Sequence, residues 1–212
     1  EYTHLHDPLQ LRDMDRAVQR VRAAIDRGER VAVYGDFDTD GVTGVALLKQ
    51  ALTALGLDIL PYIPRRIEEG YGLNIPAVEQ LAQQVQLLIT VDCGISNVLE
   101  IGRAQALGLD VIVLDHHTPP AVLPSGYAVI NPKRDGCGYP YKMLAGVGVA
   151  YKLIQALHKA GLRSGLSGRD LLDVVALGTV TDMAPLDGEN RILVKHGLVA
   201  LNHTRRHGLK AL

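Results

Sequence analysis

Apolar positions recur along the chain in two alternating rhythms. Over residues 11–27, "LRDMDRAVQRVRAAIDR", they fall at helical spacing, and Gly28 follows as a stop. An unbroken short run, "RVAVYG" at 30–35, then reads as a buried strand. The alternation continues with a helix over 42–55 closed by Gly56, a strand at 58–63, a helix at 75–84 and a strand at 85–92. A helix at 97–107 ending at Gly108 and strands at 110–115 and 127–131 complete it. Strands of near-continuous Val, Ile and Leu alternating with helices predict βαβ units. The expected class is therefore α/β, a mainly parallel β-sheet with helices on both faces. After residue 140 the pattern turns helical, over 143–160, 168–181 and 189–201. The connections at 64–74 and 116–126 are long enough to carry function.

Composition narrows the class. With 212 residues, 47% of them hydrophobic, the chain supports one large domain with a sizeable core. Aromatics make up only 4%, with no Trp and one Phe, so aliphatic side chains must build that core. A net charge of −1 gives no overall footprint for nucleic acid, and any anion must be held by local basic residues. The two cysteines, Cys93 and Cys137, suit a reducing compartment better than a disulfide framework; Cys93 reads as a buried thiol and Cys137 as a loop residue. No stretch reaches the roughly 18–20 consecutive apolar residues of a membrane span, and none reads as a signal peptide, so a cytoplasmic location is expected. The chain opens on Glu1 and stops at Leu212 within a helix-like run. It is expected to be a piece of a longer protein, its basic stretch "HTRRHGLK" at 203–210 beginning the connection to a second domain.

The polar clusters are not scattered. Asp36, Asp38 and Asp40 follow the first strand in "GDFDTDG", Asp92 ends the third, and Asp115, His116 and His117 end the fourth. Ligands of open parallel sheets bind beyond the carboxyl ends of the strands. Any one of these aspartates reads equally well as a turn or a helix cap; three clusters on one sheet edge argue for a shared site. Oxygen donors with one or two imidazoles suit Mn²⁺ or Mg²⁺ better than a closed zinc site. More than four carboxylates exceed the need of one ion. Two ions about 3.5–4 Å apart would neutralise them and serve in-line attack on a phosphoryl centre. A calcium-loop reading of "DFDTDG" fails, because its twelfth position is Leu47 where a bidentate Glu belongs and because a strand precedes it. "VAVYGDFDTDGVTG" also matches the opening of dehalogenase-like phosphatases, with Asp38 as nucleophile, but that leaves "DHH" unexplained.

In order along the chain, "GDFDTDGVTG", "VDCGIS" (91–96), "VLDHH" (113–117) and "ALGTVTDMAPL" (176–186) resemble the DHH phosphoesterase superfamily. The strings "LHDP" (5–8), "IPRRIEEGYGL" (63–73), "INPKR" (130–134), "LAGVGVAYKL" (144–153) and "ENRILV" (189–194) are similar to its single-strand exonuclease branch. The resemblance covers nearly the whole chain. It implies a DHH catalytic domain over 1–212 that uses two Mn²⁺ or Mg²⁺ ions to hydrolyse single-stranded DNA from the 5′ end to 5′-mononucleotides, in DNA repair and recombination. It further implies metal ligation by Asp36, Asp38, Asp40, Asp92, His116 and Asp182, with Asp92 bridging. Tyr34 stands where other branches carry a His. His117 would contact phosphate or donate a proton, and Asp115 would orient imidazole. Arg66 and Arg134 match arginines of the pattern and would fork onto phosphate oxygens. Tyr71 would stack on a base, while Gly146 and Gly148 would bring a backbone close to substrate. Arg65 and Lys133 read as surface residues, and His4, His6, His158 and His196 as surface or capping residues. Implied partners are single-stranded DNA and, by family alone, a single-strand-binding protein and a helicase, around a monomeric enzyme. Other branches hydrolyse short oligonucleotides, cyclic dinucleotides or pyrophosphate, and one member is a non-catalytic replication scaffold that has lost its ligands.

Overall fold

The computed structural model describes residues 1–212. Helix α1 (Met14–Arg27) leads into strand β1 (Arg30–Gly35) and helix α2 (Thr39–Ala54). Then come β2 (Asp58–Tyr62), α3 (Ile75–Ala82), β3 (Leu87–Val91), α4 (Val98–Ala106), β4 (Asp110–Leu114) and β5 (Ala128–Ile130). The chain closes with α5 (Gly146–Lys159), α6 (Leu172–Thr181), α7 (Gly188–Asn202) and α8 (His207–Ala211).

All strand pairings are parallel, in the order β2-β1-β3-β4-β5. Side chains alternate between two cores along each central strand. Val31 and Val33 of β1 join Ile89 and Ile112 under α1, α2 and α5, whereas Ala32 and Tyr34 join Leu88 and Val113 under α3 and α4. Burial on both faces explains why the strands read as unbroken apolar runs. From β1 the chain steps outward to β2, then crosses back to β3 on the other side. The topological switch thus lies between β1 and β3, whose carboxyl ends carry the Asp36–Asp40 turn and Asp92.

Several boundaries differ from the periodicity, among them the start of α5 at Gly146 rather than 143. Helix α2 starts at Thr39 rather than 42, because the Asp38 carboxylate accepts from the Gly41 amide at 3.0 Å and caps it. Asp40 therefore lies in a first helical turn. Helix α6 starts at Leu172, since 168–171 form a 3₁₀ turn capped by Ser167. Within 203–212, read as an exit segment, α8 forms, and Arg206 ties it down through Asp173 at 2.9 Å and Gln50 at 2.6 Å. No helix is long and apolar enough to cross a membrane.

Candidate metal centre

The switch point gathers the acids. Asp36, directly after β1, is buried and accepts from the Phe37 amide at 2.7 Å. Asp38 caps α2 and stays exposed. Asp40 is sealed at the start of α2, with its Oδ2 accepting from Gly146 N at 2.6 Å and its Oδ1 from Val147 N at 2.8 Å. Those amides are the first of α5, so a carboxylate meets the positive end of a helix. Only glycine permits this approach: a Cβ on Gly146 would lie 2.7 Å from Asp92 Cβ and 3.0 Å from Asp40 Oδ2.

Asp92 follows β3 in the left-handed conformation, φ 62°, which aspartate tolerates better than most residues. Its Oδ1 stands 3.0 Å from His116 Nε2, yet neither buried atom has a hydrogen-bond partner. Two unpartnered buried atoms converging on one point fit ligands of a shared cation. His116 Nε2 is also 3.8 Å from Asp40 Oδ2, and its Nδ1 is 3.9 Å from Asp182 Oδ2 at the end of α6. Three sets result whose donor atoms lie within 4.8 Å of one another: Asp36–Asp38–Asp92, Asp40–His116–Asp182 and Asp92–His116–His117. Asp92 and His116 each belong to two. The residues fit two hard or borderline divalent ions, with oxygen donors dominating and imidazole secondary.

Asp115 works one layer back. Its Oδ1 accepts from His116 N at 2.7 Å and His117 N at 3.0 Å and faces His117 Nδ1 at 2.8 Å, while Oδ2 accepts from Ile95 N at 2.9 Å. Burial opposes its ionisation, but the His117 contact and these amides outweigh that and hold the carboxyl below its ordinary range. The hydrogen bond to Asp115 in turn lifts His117 to about 9, so its ring is an imidazolium at neutral pH. Burial pushes Asp92 up to about 9, with Asp38 adding to it, and Asp40 up to about 7, with Asp92 adding to it. Asp36 and Asp182 are raised too, by burial first. The acids outnumber the local cations, an imbalance that a bound divalent ion would relieve.

The flanking loops divide the remaining residues. Tyr71 Oη lies 3.3 Å from His117 Nδ1 and 3.4 Å from the Asp92 carbonyl, its ring edge-on to the imidazole. Arg66 sits over the Phe37 ring at 5.1 Å, where its charge reaches Asp36. Both stay at the rim of the site. Arg134 does not: its Nη1 is bound to Asp13 Oδ2 at 2.6 Å and the Val129 carbonyl at 2.5 Å, so the expected phosphate fork is committed to the fold. Its neighbour Lys133, read as surface, is half-buried, and its charge opposes the rise at Asp182. The two glycines also depart from expectation. Gly146 spends its amide on Asp40, and Gly148 is buried against Leu144; they close the α5 contact and present no backbone to substrate. Sequence reading missed Glu69, which fixes the Tyr71 loop by accepting from Tyr62 Oη at 2.5 Å, Arg65 N at 2.8 Å and Asn74 Nδ2 at 3.3 Å. It also missed Asn131, fully buried, which donates to the His117 carbonyl at 2.9 Å. An Asn directly after a strand, in "INPKR", was the available signal.

Comparison with known proteins follows the same lines. The model described as "DHH family, N-terminal domain" matches residues 30–179. The single-stranded-DNA-specific exonuclease RecJ of Bacillus subtilis (strain 168) is 44% identical over 208 residues, which are 98% of this chain and 26% of that protein. A crystal structure of exonuclease RecJ bound to manganese superposes with a TM-score of 0.86 at 40% identity, covering 95% of this chain and 51% of that one. RecJ from Thermus thermophilus in complex with Mn²⁺ gives 0.81 at 37% identity, covering 95% and 29%. The chain thus spans about a quarter of the B. subtilis relative and about half of the first of these structures.

Proposed function

The chain belongs to the DHH family, and on that premise we propose that it carries the metal centre of a 5′→3′ exonuclease that hydrolyses single-stranded DNA to 5′-mononucleotides, in repair and recombination. The observation that carries the reading is the unpartnered pair Asp92 Oδ1 and His116 Nε2, enclosed by carboxylates on every side. Relatives named as single-stranded-DNA-specific exonucleases, and two solved structures of RecJ holding manganese, support it.

In this reading Asp36, Asp38 and Asp92 would hold one divalent ion and Asp40, His116 and Asp182 the other, with Asp92 contributing to both and Mn²⁺ or Mg²⁺ as the cations. Bound there, such ions activate water and neutralise phosphoryl oxygens. The chain's own groups do the rest. Asp115 keeps His117 protonated and oriented, so that its Nε2 side faces substrate as a charged donor to a phosphate oxygen or the departing 3′ oxygen. Lys133 and Arg66 add positive charge on either side, and Tyr71 closes the rim above His117. No protein nucleophile is needed, and Asp38, engaged as the cap of α2, is poorly placed for one. The protein is proposed to act in the cytoplasm as a monomer. A single-strand-binding protein and a helicase remain partners by family resemblance.

The test uses Mn²⁺ and single-stranded DNA labelled at its 3′ end. Successively shorter labelled strands with the wild type, and none with Asp92→Asn, are expected. An untouched strand with cleavage of a dinucleotide would instead place the chain among the branches that act on short oligonucleotides.

A further inference from the structure

The turn that carries His116 and His117 leaves the sheet beside a buried asparagine. Strand β4 is paired with β5 up to Leu114 and Ile130, and Asp115 N still donates to the Ile130 carbonyl at 3.0 Å. There the two backbones part, because the Asp115 carboxylate draws the His116 and His117 amides into a turn of its own. Asn131, the first residue after β5, spans the gap: its Nδ2 donates to the His117 carbonyl at 2.9 Å. Its Oδ1 accepts from Lys133 N at 2.8 Å, which closes an Asx turn over Pro132. The side chain is fully buried, and both ends of its amide are used. Beyond His117 the chain is irregular, with no backbone–backbone hydrogen bond between Thr118 and Pro124. His117 is thus tied on both sides of its backbone before that connection begins, its amide by Asp115 and its carbonyl by Asn131.

We propose that Asn131 is a positioning residue for His117, acting through its backbone to fix where the imidazole meets substrate. The proposal rests on the reading of His117 as the charged donor. Asp115 holds the ring at Nδ1 and the backbone at the amide. The carbonyl side opens onto the 118–126 connection, and Asn131 keeps motion there from reaching the ring. Placement matters because a donor to a reacting group works only at close range; a shift of about 1 Å costs up to about 100-fold in rate. The residue type follows from the two contacts. Aspartate lacks the donor when ionised, and serine or threonine supplies the turn acceptor but stops short of the carbonyl. Glutamine is one methylene too long for the Asx turn. Of the turn-forming side chains, asparagine alone serves both.

The experiment is a double-mutant cycle between Asn131→Ser and His117→Ala, with Mn²⁺ and single-stranded DNA labelled at its 3′ end. Serine keeps the turn acceptor and releases the carbonyl. Asn131→Ser is expected to lower kcat by about 10–100-fold, with KM and bound Mn²⁺ per chain unchanged. In the His117→Ala background the same substitution should cost nothing further, which a merely structural role would not produce. The metal-free proteins are compared by their ¹⁵N–¹H imidazole spectra. Wild type should give one sharp His117 signal, and Asn131→Ser a doubled or broadened one. Should the melting temperature show that the serine variant fails to fold, Asn131→Thr, which fills more of the same space, takes its place. A further loss of similar size in the His117→Ala background overturns the proposal, and so does a His117 signal that the variant leaves unchanged. A wild type that cuts no single-stranded DNA would refute the exonuclease reading, while a His117 signal that still doubles in the variant would retain the tie.

Discussion

Lys152 Nζ and Glu189 Oε1 meet at 2.6 Å with both side chains sealed from solvent. Glu189 also accepts from Tyr139 Oη and, at 2.8 Å, from the His6 amide, while Lys152 donates to the His6 carbonyl at 3.1 Å. Burial lowers the Lys152 pKa, but every polar atom of the pair has a partner. This network joins α5, α7 and the N-terminal segment, and α5 is the helix whose first amides hold Asp40. His6, read as a surface or capping residue, supplies backbone to it.

Removing one partner leaves a buried charge alone. Lys152→Met is expected to cost about 3–5 kcal/mol of unfolding free energy, measured by urea titration. A loss below about 1 kcal/mol, the range of exposed pairs, would contradict the burial described.

Asp92→Asn separates function from stability. Activity with Mn²⁺ should fall by at least about 100-fold, the upper end of what disturbing a partner around a metal costs. The metal-free variant should melt higher than wild type at alkaline pH, because one buried carboxylate is gone and asparagine also tolerates φ 62°. Calorimetry in EDTA beside the nuclease assay decides both.

The metal-free protein should lose stability as pH rises. Asp40 is raised to about 7, Asp92 to about 9 and His117 to about 9, so the folded state keeps protons that the unfolded chain has already released. For the two carboxylates this destabilisation starts near the ordinary value of about 4, and for His117 near about 6.5; all three act in the same direction. The melting temperature in EDTA should therefore fall between about pH 5 and about pH 9, by roughly 2–4 °C per kcal/mol. Adding Mn²⁺ should flatten the curve. A flat profile without metal would refute the unbalanced cluster.

Asp115→Asn tests the charge on His117. Without its main hydrogen-bond partner, His117 should return from about 9 toward its ordinary 6.5. The alkaline limb of the activity profile should then move to lower pH, with kcat affected more than KM. An unshifted limb would mean that His117 is not the donor.

Glu69→Ala removes the carboxylate that three groups of the Tyr71 loop share. With the loop released, KM for single-stranded DNA should rise several-fold while bound Mn²⁺ per chain stays constant, as read by metal titration.

The parallel sheet was legible because strands buried on both faces leave a continuous apolar signature, here repeated between amphipathic helices. The acids at its edge were legible for a related reason: each interrupts such a run at its carboxyl end. Asp182 has no local signal of that kind, since it ends a helix far along the chain, and only the family resemblance pointed to it. Arg134 illustrates the opposite limit. Its partner Asp13 lies 121 positions earlier, and no pattern around "INPKR" reveals that the guanidinium turns inward. Periodicity also missed the true start of α2, because a cap made by a polar side chain leaves no hydrophobic trace.

The clasp between Asp40 and the amides of residues 146 and 147 has a consequence for how the protein is born. A chain that has left the ribosome as far as residue 140 already carries Asp36, Asp40, Asp92, His116 and His117. It lacks the helix end that Asp40 grips, and it lacks Asp182. Synthesis must run more than a hundred residues beyond the first aspartates before these groups can meet. A metal centre assembled this way stays incomplete while the chain is being made, and its ligands come together only once the scaffold has closed.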